Sequence, residues 1–189
     1  MASYTPPIDE KKLVADLQNE KTAAQAFDTL MRTFGEPMYW QIRRMVVNHD
    51  DANDLLQNAL IKAWNNIGNF RGEAKLSTWL YKIATNEAIN FINRERQRNT
   101  MNVNSEDASF LLDNIEADEY FDGDEIQLAL QKVIAKLPDK QRLVFNMRYF
   151  DEMKYEQISE ILGTSVGALK ASYHHAVKKI EKELSDLNP

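Results

Sequence analysis

Apolar residues recur at three- and four-residue steps along nearly the whole of this chain, a rhythm that favours helices packed on helices. Six glycines and five prolines are spread over 189 residues, and no alternating run of Val, Ile and Thr marks a sheet strand. Helices are expected over residues 9–20, 22–34, 37–48, 51–67 and 77–97, then 125–136, 139–149, 155–162 and 166–184. Residues 99–124 lack this periodicity apart from the cluster Phe110, Leu111 and Leu112, and they read as a linker. The expectation is an all-α chain of two small helical domains, 1–98 and 125–189, joined by an acidic, flexible tether. The second domain, at about 65 residues, is near the lower limit for folding alone.

The most informative stretch runs from Tyr155 to Lys182. It reads as a helix-turn-helix. Ile158, Ile161 and Leu162 share one side of the first helix, and Gly163 stands where a left-handed C-terminus favours a residue without a Cβ. Thr164 or Ser165 is placed to cap the second helix. That helix puts Val166, Leu169, Tyr173, Ala176, Val177, Ile180 and Leu184 on one stripe. The opposite face carries Ala168, Ala171, His175, Lys178 and Lys182, flanked by Lys170, His174 and Lys179. An apolar stripe behind a short basic face suits a helix lying in a DNA major groove. A plain helical hairpin has the same geometry.

The net charge of −6 argues against nucleic acid until its distribution is read. Residues 101–127 hold nine acids (Glu106, Asp107, Asp113, Glu116, Asp118, Glu119, Asp122, Asp124 and Glu125) and no Lys or Arg. The rest of the chain has 23 bases against 20 acids. Two mildly basic blocks are thus separated by one acidic strip.

Catalysis is not expected. With no cysteine and with His49, His174 and His175 scattered, no metal site, thiol nucleophile or cofactor is implied. Gly-rich phosphate loops and nucleophile elbows are missing too. The acidic pairs Asp50–Asp51 and Asp151–Glu152 fall where helices begin, which capping and the helix dipole explain. The N-terminus has no signal-peptide core and no run approaches the ~20 apolar residues of a membrane span, so a cytoplasmic location is expected.

Two further segments are candidates for contacts. The helix from Ser77 has Trp79, Leu80, Ile83, Ala84, Ala88 and Phe91 on an apolar side. Lys82, Asn86, Asn90 and Arg94 follow on another side, ahead of Arg96 and Arg98. Amides can read base edges and arginines neutralise phosphates. A loop, Asn69-Phe70-Arg71-Gly72-Glu73-Ala74-Lys75, precedes it. In the helix 51–67, Leu55, Ala59, Ala63 and Ile67 or Trp64 face inward. Asp51, Asn53, Asp54, Gln57 and Ile61 lie on or near the outward side, a surface that suits a protein partner.

In this order, the segments Asp51–Trp64, Asn69–Gly72, Ser77–Asn86, Leu137–Arg142 and the helix-turn-helix from Tyr155 resemble the extracytoplasmic-function branch of bacterial sigma factors. The resemblance covers about residues 20–98 and 125–184. It implies a factor that binds core RNA polymerase, melts the −10 promoter element with its N-terminal helices and reads the −35 element with its C-terminal ones. Asp51, Asp54, Leu55, Gln57 and Ile61 then match the polymerase-docking segment. The loop 69–75, with Asn69, Phe70, Arg71 and Lys75, matches the part that captures an unstacked −10 base. Lys82, Asn86, Asn90 and Arg94 match the helix facing that element, and Lys170, Ala171, His174, His175 and Lys178 the −35-facing positions.

An anti-sigma protein is also implied as a partner. The chain departs from the pattern at Ala171, His174 and His175, where arginines are common, and at Asn58, where an acid is common. The alternatives are a stand-alone helix-turn-helix regulator, which would not need residues 51–98, and an adaptor that binds only proteins.

Overall fold

The computed structural model describes residues 8–100, 115 and 125–187, and every regular element among them is a helix. Four α-helices come first: α1 (Glu10–Leu17), α2 (Ala23–Val46), α3 (His49–Asn66) and α4 (Leu76–Thr100). A single 3-10 turn, Ile67–Asn69, follows α3. Four more come after: α5 (Glu125–Ala135), α6 (Asp139–Tyr149), α7 (Tyr155–Leu162) and α8 (Val166–Leu187). Most of the acidic strip, the cluster Phe110, Leu111 and Leu112 included, lies outside the described residues.

The structure joins two expected helices, 22–34 and 37–48, into the single helix α2, with Pro37 inside it. A proline there removes one backbone hydrogen bond and costs about 3 kcal/mol. The stripe Ala26, Leu30, Phe34, Met38, Ile42 and Met45 continues unbroken through that point and is buried along its whole length. Full burial of a large apolar side chain contributes about 1.5–3 kcal/mol, so Leu30, Met38 and Ile42 together outweigh the proline. Alanines bring the partners close. Ala52, Ala59 and Ala63 on α3 and Ala84 and Ala88 on α4 are almost fully buried where those helices pack on each other and on α2.

α3 begins at His49, two residues before the expected position, because Asn48 is its cap, accepting from the amides of Asp50 (2.9 Å) and Asp51 (3.0 Å). The two aspartates occupy the first turn, where the dipole favours them.

In the second group, Val133, Ile134, Leu137, Phe145, Ala176 and Ile180 form one apolar cluster. Val144, Met147, Met153, Ile158, Ile161 and Leu169 form another. Arg142 is buried between α5 and α6, donating to the Ala135 carbonyl (3.2 Å) and to Asp139 (3.0 Å).

The two groups of helices pack directly on each other, α7 against α4 and α6 against α2. Tyr81 and Leu143 touch apolar clusters of both groups. Arg44 pairs with Asp151, and Arg96 spans both carboxylate oxygens of Asp139. The Asn146 amide donates to the Arg44 carbonyl (3.1 Å). Val47, held in the left-handed region at φ 67°, meets Ile115 and Ala135. The expected role of Asp151 as a helix-start residue is therefore corrected. Helix α7 starts later, at Tyr155, where the Lys154 amide donates to Gln157 (3.0 Å), and Asp151 is an inter-group ion pair.

Candidate nucleic-acid interface

Helix α8 follows the sequence closely. Leu169, Ala176 and Ile180 are buried, with Val166, Tyr173, Val177 and Leu184 half-buried beside them. Gly163 takes φ 63°, ending α7, and Ser165 accepts from the Ala168 amide (3.4 Å). The side that this packing leaves in solvent carries Lys170, Ala171, His174, His175 and Lys178, all exposed. The His174 and His175 rings stand 6.1 Å apart, tilted by 55° to each other. Lys170 leans over the Tyr155 ring at 5.8 Å, which ties the start of the basic face to α7.

The second surface is built where α3, the 3-10 turn and α4 meet. Leu76, Leu80, Ala84, Ala88 and Ile92 point α4 into the core. Lys82, Asn86, Asn90 and Arg94 consequently face outward and are exposed. Phe70 and Trp79 lie together, ring centroids 5.1 Å apart, half in solvent. They form a ridge between two hollows. One, of about 470 Å³, is lined by Asn66, Asn69, Asn86 and Asn90 with Phe70 and Trp79. At its edge Lys62 pairs with Glu87, so that buried carboxylate adds no unbalanced charge. The other, about 370 Å³, is lined by Asn69, Phe70, Arg71, Lys82 and Glu160 among others.

Asn69, Phe70, Arg71, Lys82, Asn86 and Asn90 are thus brought together, although they come from a turn, a loop and a helix. Lys75 is exposed at the loop's far end and Arg94 lies further along α4, its guanidinium bonded to the Asn90 carbonyl (3.3 Å). The arginine cluster at the end of α4 is divided. Arg96 is engaged by Asp139 and Arg98 by Glu95 (2.8 Å).

On α3, Asp54, Gln57 and Ile61 are exposed, Ile61 to 58%. Trp64 is 43% exposed, set edge-on to Phe27 at 5.0 Å, and Met31 is exposed nearby on α2. Asp51 is half-buried, and its carboxyl is pushed above the usual range by that burial, with Glu95, Asp54 and Asp50 adding negative charge. Leu55 is a correction to the docking set. It is 3% exposed in the first core, so it holds α3 from behind and cannot itself meet a partner.

Sequence reasoning missed Glu160, which reaches the second hollow from α7, and missed Gln18 and Glu10, which contact the ends of the 69–75 loop. These join positions far apart in the chain, and no local spacing signals them. Among the described residues, no cluster of side chains is arranged to hold a metal ion and no helix is long and apolar enough to cross a membrane.

Comparison with known proteins agrees with this geometry. Residues 30–98 match the model of sigma-70 region 2, and residues 127–180 match that of sigma-70 region 4. The chain is 33% identical to the ECF RNA polymerase sigma factor SigW of Bacillus subtilis strain 168, over 90% of this chain and 95% of the relative. It is 34% identical to the RNA polymerase sigma-H factor of Pseudomonas aeruginosa, over 86% and 88%.

Two solved structures share the fold. CnrH in complex with the cytosolic domain of CnrY has a TM-score of 0.68 at 19% identity, covering 95% of this chain and 99% of that one. RpoE with the anti-sigma factor NepR from Bartonella quintana has 0.63 at 21%, covering 84% and 96%. Because these relatives extend over residues 51–98 as well as the helix-turn-helix, a stand-alone regulator does not account for the chain: it belongs to the ECF branch of the sigma-70 family, the factors that bind core RNA polymerase and direct promoter-specific initiation.

Proposed function

We propose that the amide-lined hollow beside the Phe70–Trp79 ridge captures an unstacked base of the −10 element, and that the outer face of α8 reads the −35 element. The observation that carries this is the convergence of Asn69, Asn86 and Asn90 on one hollow with two aromatic rings at its wall. An amide both donates to and accepts from a base edge, and an aromatic ring takes up the stacking that a base loses on leaving the duplex. Lys82, Arg71 and Lys75 supply phosphate contacts around it. Asp51, Asp54, Gln57 and Ile61 dock the chain on the polymerase, with Leu55 as support. The factor works in the cytoplasm with the polymerase, performing recognition and melting and no covalent chemistry. The Bartonella quintana relative was solved with an anti-sigma factor, and a protein of that kind is the third partner proposed here.

Promoter use requires the two groups of helices to part. Helix α7 lies on α4 and α8 lies on α7. With helix axes about 8–10 Å apart, the −35-facing helix stands about 20 Å from α4. Elements separated by roughly 16 base pairs lie about 55 Å apart at ~3.4 Å per step. Glu160 also occupies the rim of the second hollow, where it would repel a phosphate backbone. Residues 99–124 can stretch to about 85–95 Å, enough to span both elements once the groups separate.

The test is a pair of substitutions with opposite signatures. Asn86→Ala is expected to lower permanganate reactivity of −10 thymines about tenfold, since one amide–base contact is worth about 1–3 kcal/mol, while leaving polymerase association intact. Asp54→Ala with Gln57→Ala is expected to weaken association in a pull-down. Unchanged promoter opening with Asn86→Ala removes the base-capture role.

A further inference from the structure

The loop 69–75 is short of internal bonds, yet both of its ends are tied to α1. At the entrance, the Gln18 side-chain amide donates to the carbonyls of Ile67 and Phe70, 2.9 Å each. The Phe70 amide also donates to Ile67 (3.1 Å), so Gln18 closes the 3-10 turn from outside. At the exit, the Glu10 carboxylate accepts from the Leu76 amide (2.7 Å) and from the Ser77 hydroxyl (2.8 Å). The Leu76 amide is an orphan donor at the start of α4, where the sequence itself offers Lys75, a residue with no capping acceptor.

Helix α1 is itself fixed. Asp9 caps it, and Leu13 and Leu17 are buried in the first core. Gln18 sits at its C-terminus with its backbone amide bonded to Val14 (3.0 Å). All of this lies before residue 30, outside the stretch that matches sigma-70 region 2.

We propose that α1 is a brace for the base-capturing loop, with Gln18 and Glu10 as positioning residues that set the span between Phe70 and Leu76 before DNA arrives. Two clamps on a loop of this length remove conformations in which Phe70 swings off Trp79, so the hollow is formed in advance of the flipped base. Preorganisation of this kind lowers the cost of capture without adding a contact to DNA. The proposal rests on the base-capture reading above.

The experiment uses the full chain on core polymerase, with a promoter selected from a randomised pool by the wild-type holoenzyme. Gln18→Leu keeps the size of the side chain and removes both donated bonds; Glu10→Ala removes both acceptors, and Glu10→Gln keeps one. Losing two hydrogen bonds of typical strength predicts roughly a 5- to 150-fold loss of open complex on duplex promoter for Gln18→Leu. Glu10→Ala should be comparable and Glu10→Gln intermediate. On a template already melted over the −10 element, the loss should be much smaller.

The deciding readout is the ratio of transcription from the selected promoter to transcription from one with the captured base substituted. A brace predicts that this ratio shrinks toward one in Gln18→Leu, because the hollow no longer discriminates. A merely structural role lowers both promoters together and leaves the ratio unchanged, which overturns the proposal. Phe70→Ala is run in parallel. If Phe70→Ala flattens the ratio and the α1 variants do not, the brace fails while base capture stands. If Phe70→Ala leaves the ratio unchanged, base capture fails and the brace with it.

Discussion

Acidification should tighten the packing between the two groups of helices, through Asp151. Its carboxyl is raised from 3.8 to about 6, chiefly by burial, with the Arg44 guanidinium opposing that rise. The surroundings explain why burial wins. Asp151 shares a recess with Glu36, Pro37, Trp40, Arg44 and Tyr81, all from the first group, and with Phe150. One carboxylate oxygen meets Arg44, while Oδ2 is buried without a hydrogen-bond partner. When the groups separate, Asp151 returns to water and to an ordinary carboxylate value.

The packed form therefore holds a proton more tightly than the separated form. The resulting stabilisation is complete below the ordinary value of 3.8 and is lost as pH rises through about 6. Near pH 5 it amounts to about 1.4 kcal/mol, roughly tenfold in the packed-to-separated ratio, and above pH 7 it vanishes.

The chain has no cysteine, so dyes can be placed through Asn65→Cys and Lys182→Cys, both exposed. Energy transfer followed against urea at pH 7.5 and pH 5 gives the stability of the packed form. The Asp151→Asn chain retains every other titrating group, and the difference between the two isolates this carboxyl. The urea midpoint of the Asp151 chain should rise on acidification relative to the Asn chain. Parallel pH responses, or a relative fall, would refute the reasoning.

Two further outcomes are expected. Gly163→Ala should cost about 1–2 kcal/mol, because φ 63° is disfavoured for a residue with a Cβ while no atom lies near enough to clash with the added methyl; thermal unfolding of the second group measures it. Lys178→Ala should weaken binding to −35 duplexes of any sequence alike and lower the slope of log affinity against log salt by about one, as expected for a lost phosphate contact; a change confined to particular base positions would instead make Lys178 a base reader.

What could be read from the residues was whatever one helix reports about itself. The stripe Leu169–Ala176–Ile180, the left-handed Gly163 and the outward set Lys82, Asn86 and Asn90 all follow from a 3.6-residue period, and the structure bears them out. Pro37 misled because local propensity says nothing of the buried stripe running through it. Leu55 fell within a docking motif, but its own period placed it inward, and the period was the better guide. The pairings of Asp151 with Arg44 and of Asp139 with Arg96 were invisible for a different reason. Arg44 and Asp151 lie 107 positions apart, and only the packing of one group on the other brings them together. The same holds for Gln18, 52 positions from Phe70.

The disposition of acids explains how a chain of net charge −6 presents surfaces fit for a polyanion. Helix α8 carries no acid before Glu181, so the face holding Lys170, His174, His175 and Lys178 stands alone over four turns. Helix α4 carries two acids, and each is answered: Glu87 is buried against Lys62 and Glu95 pairs with Arg98. Lys82, Asn86, Asn90 and Arg94 are among the residues that remain outward on α4. Three arginines, whose planar fork suits a carboxylate, are engaged in the interior and at the seam: Arg142 and Arg96 on Asp139, and Arg44 on Asp151. Lys82, Asn86, Asn90 and Arg94 on α4 and Lys170, His174, His175 and Lys178 on α8 stay in solvent on the two surfaces proposed to face DNA. On the base-capture reading proposed above, nonspecific attraction is modest and selectivity falls to the amide-lined hollow.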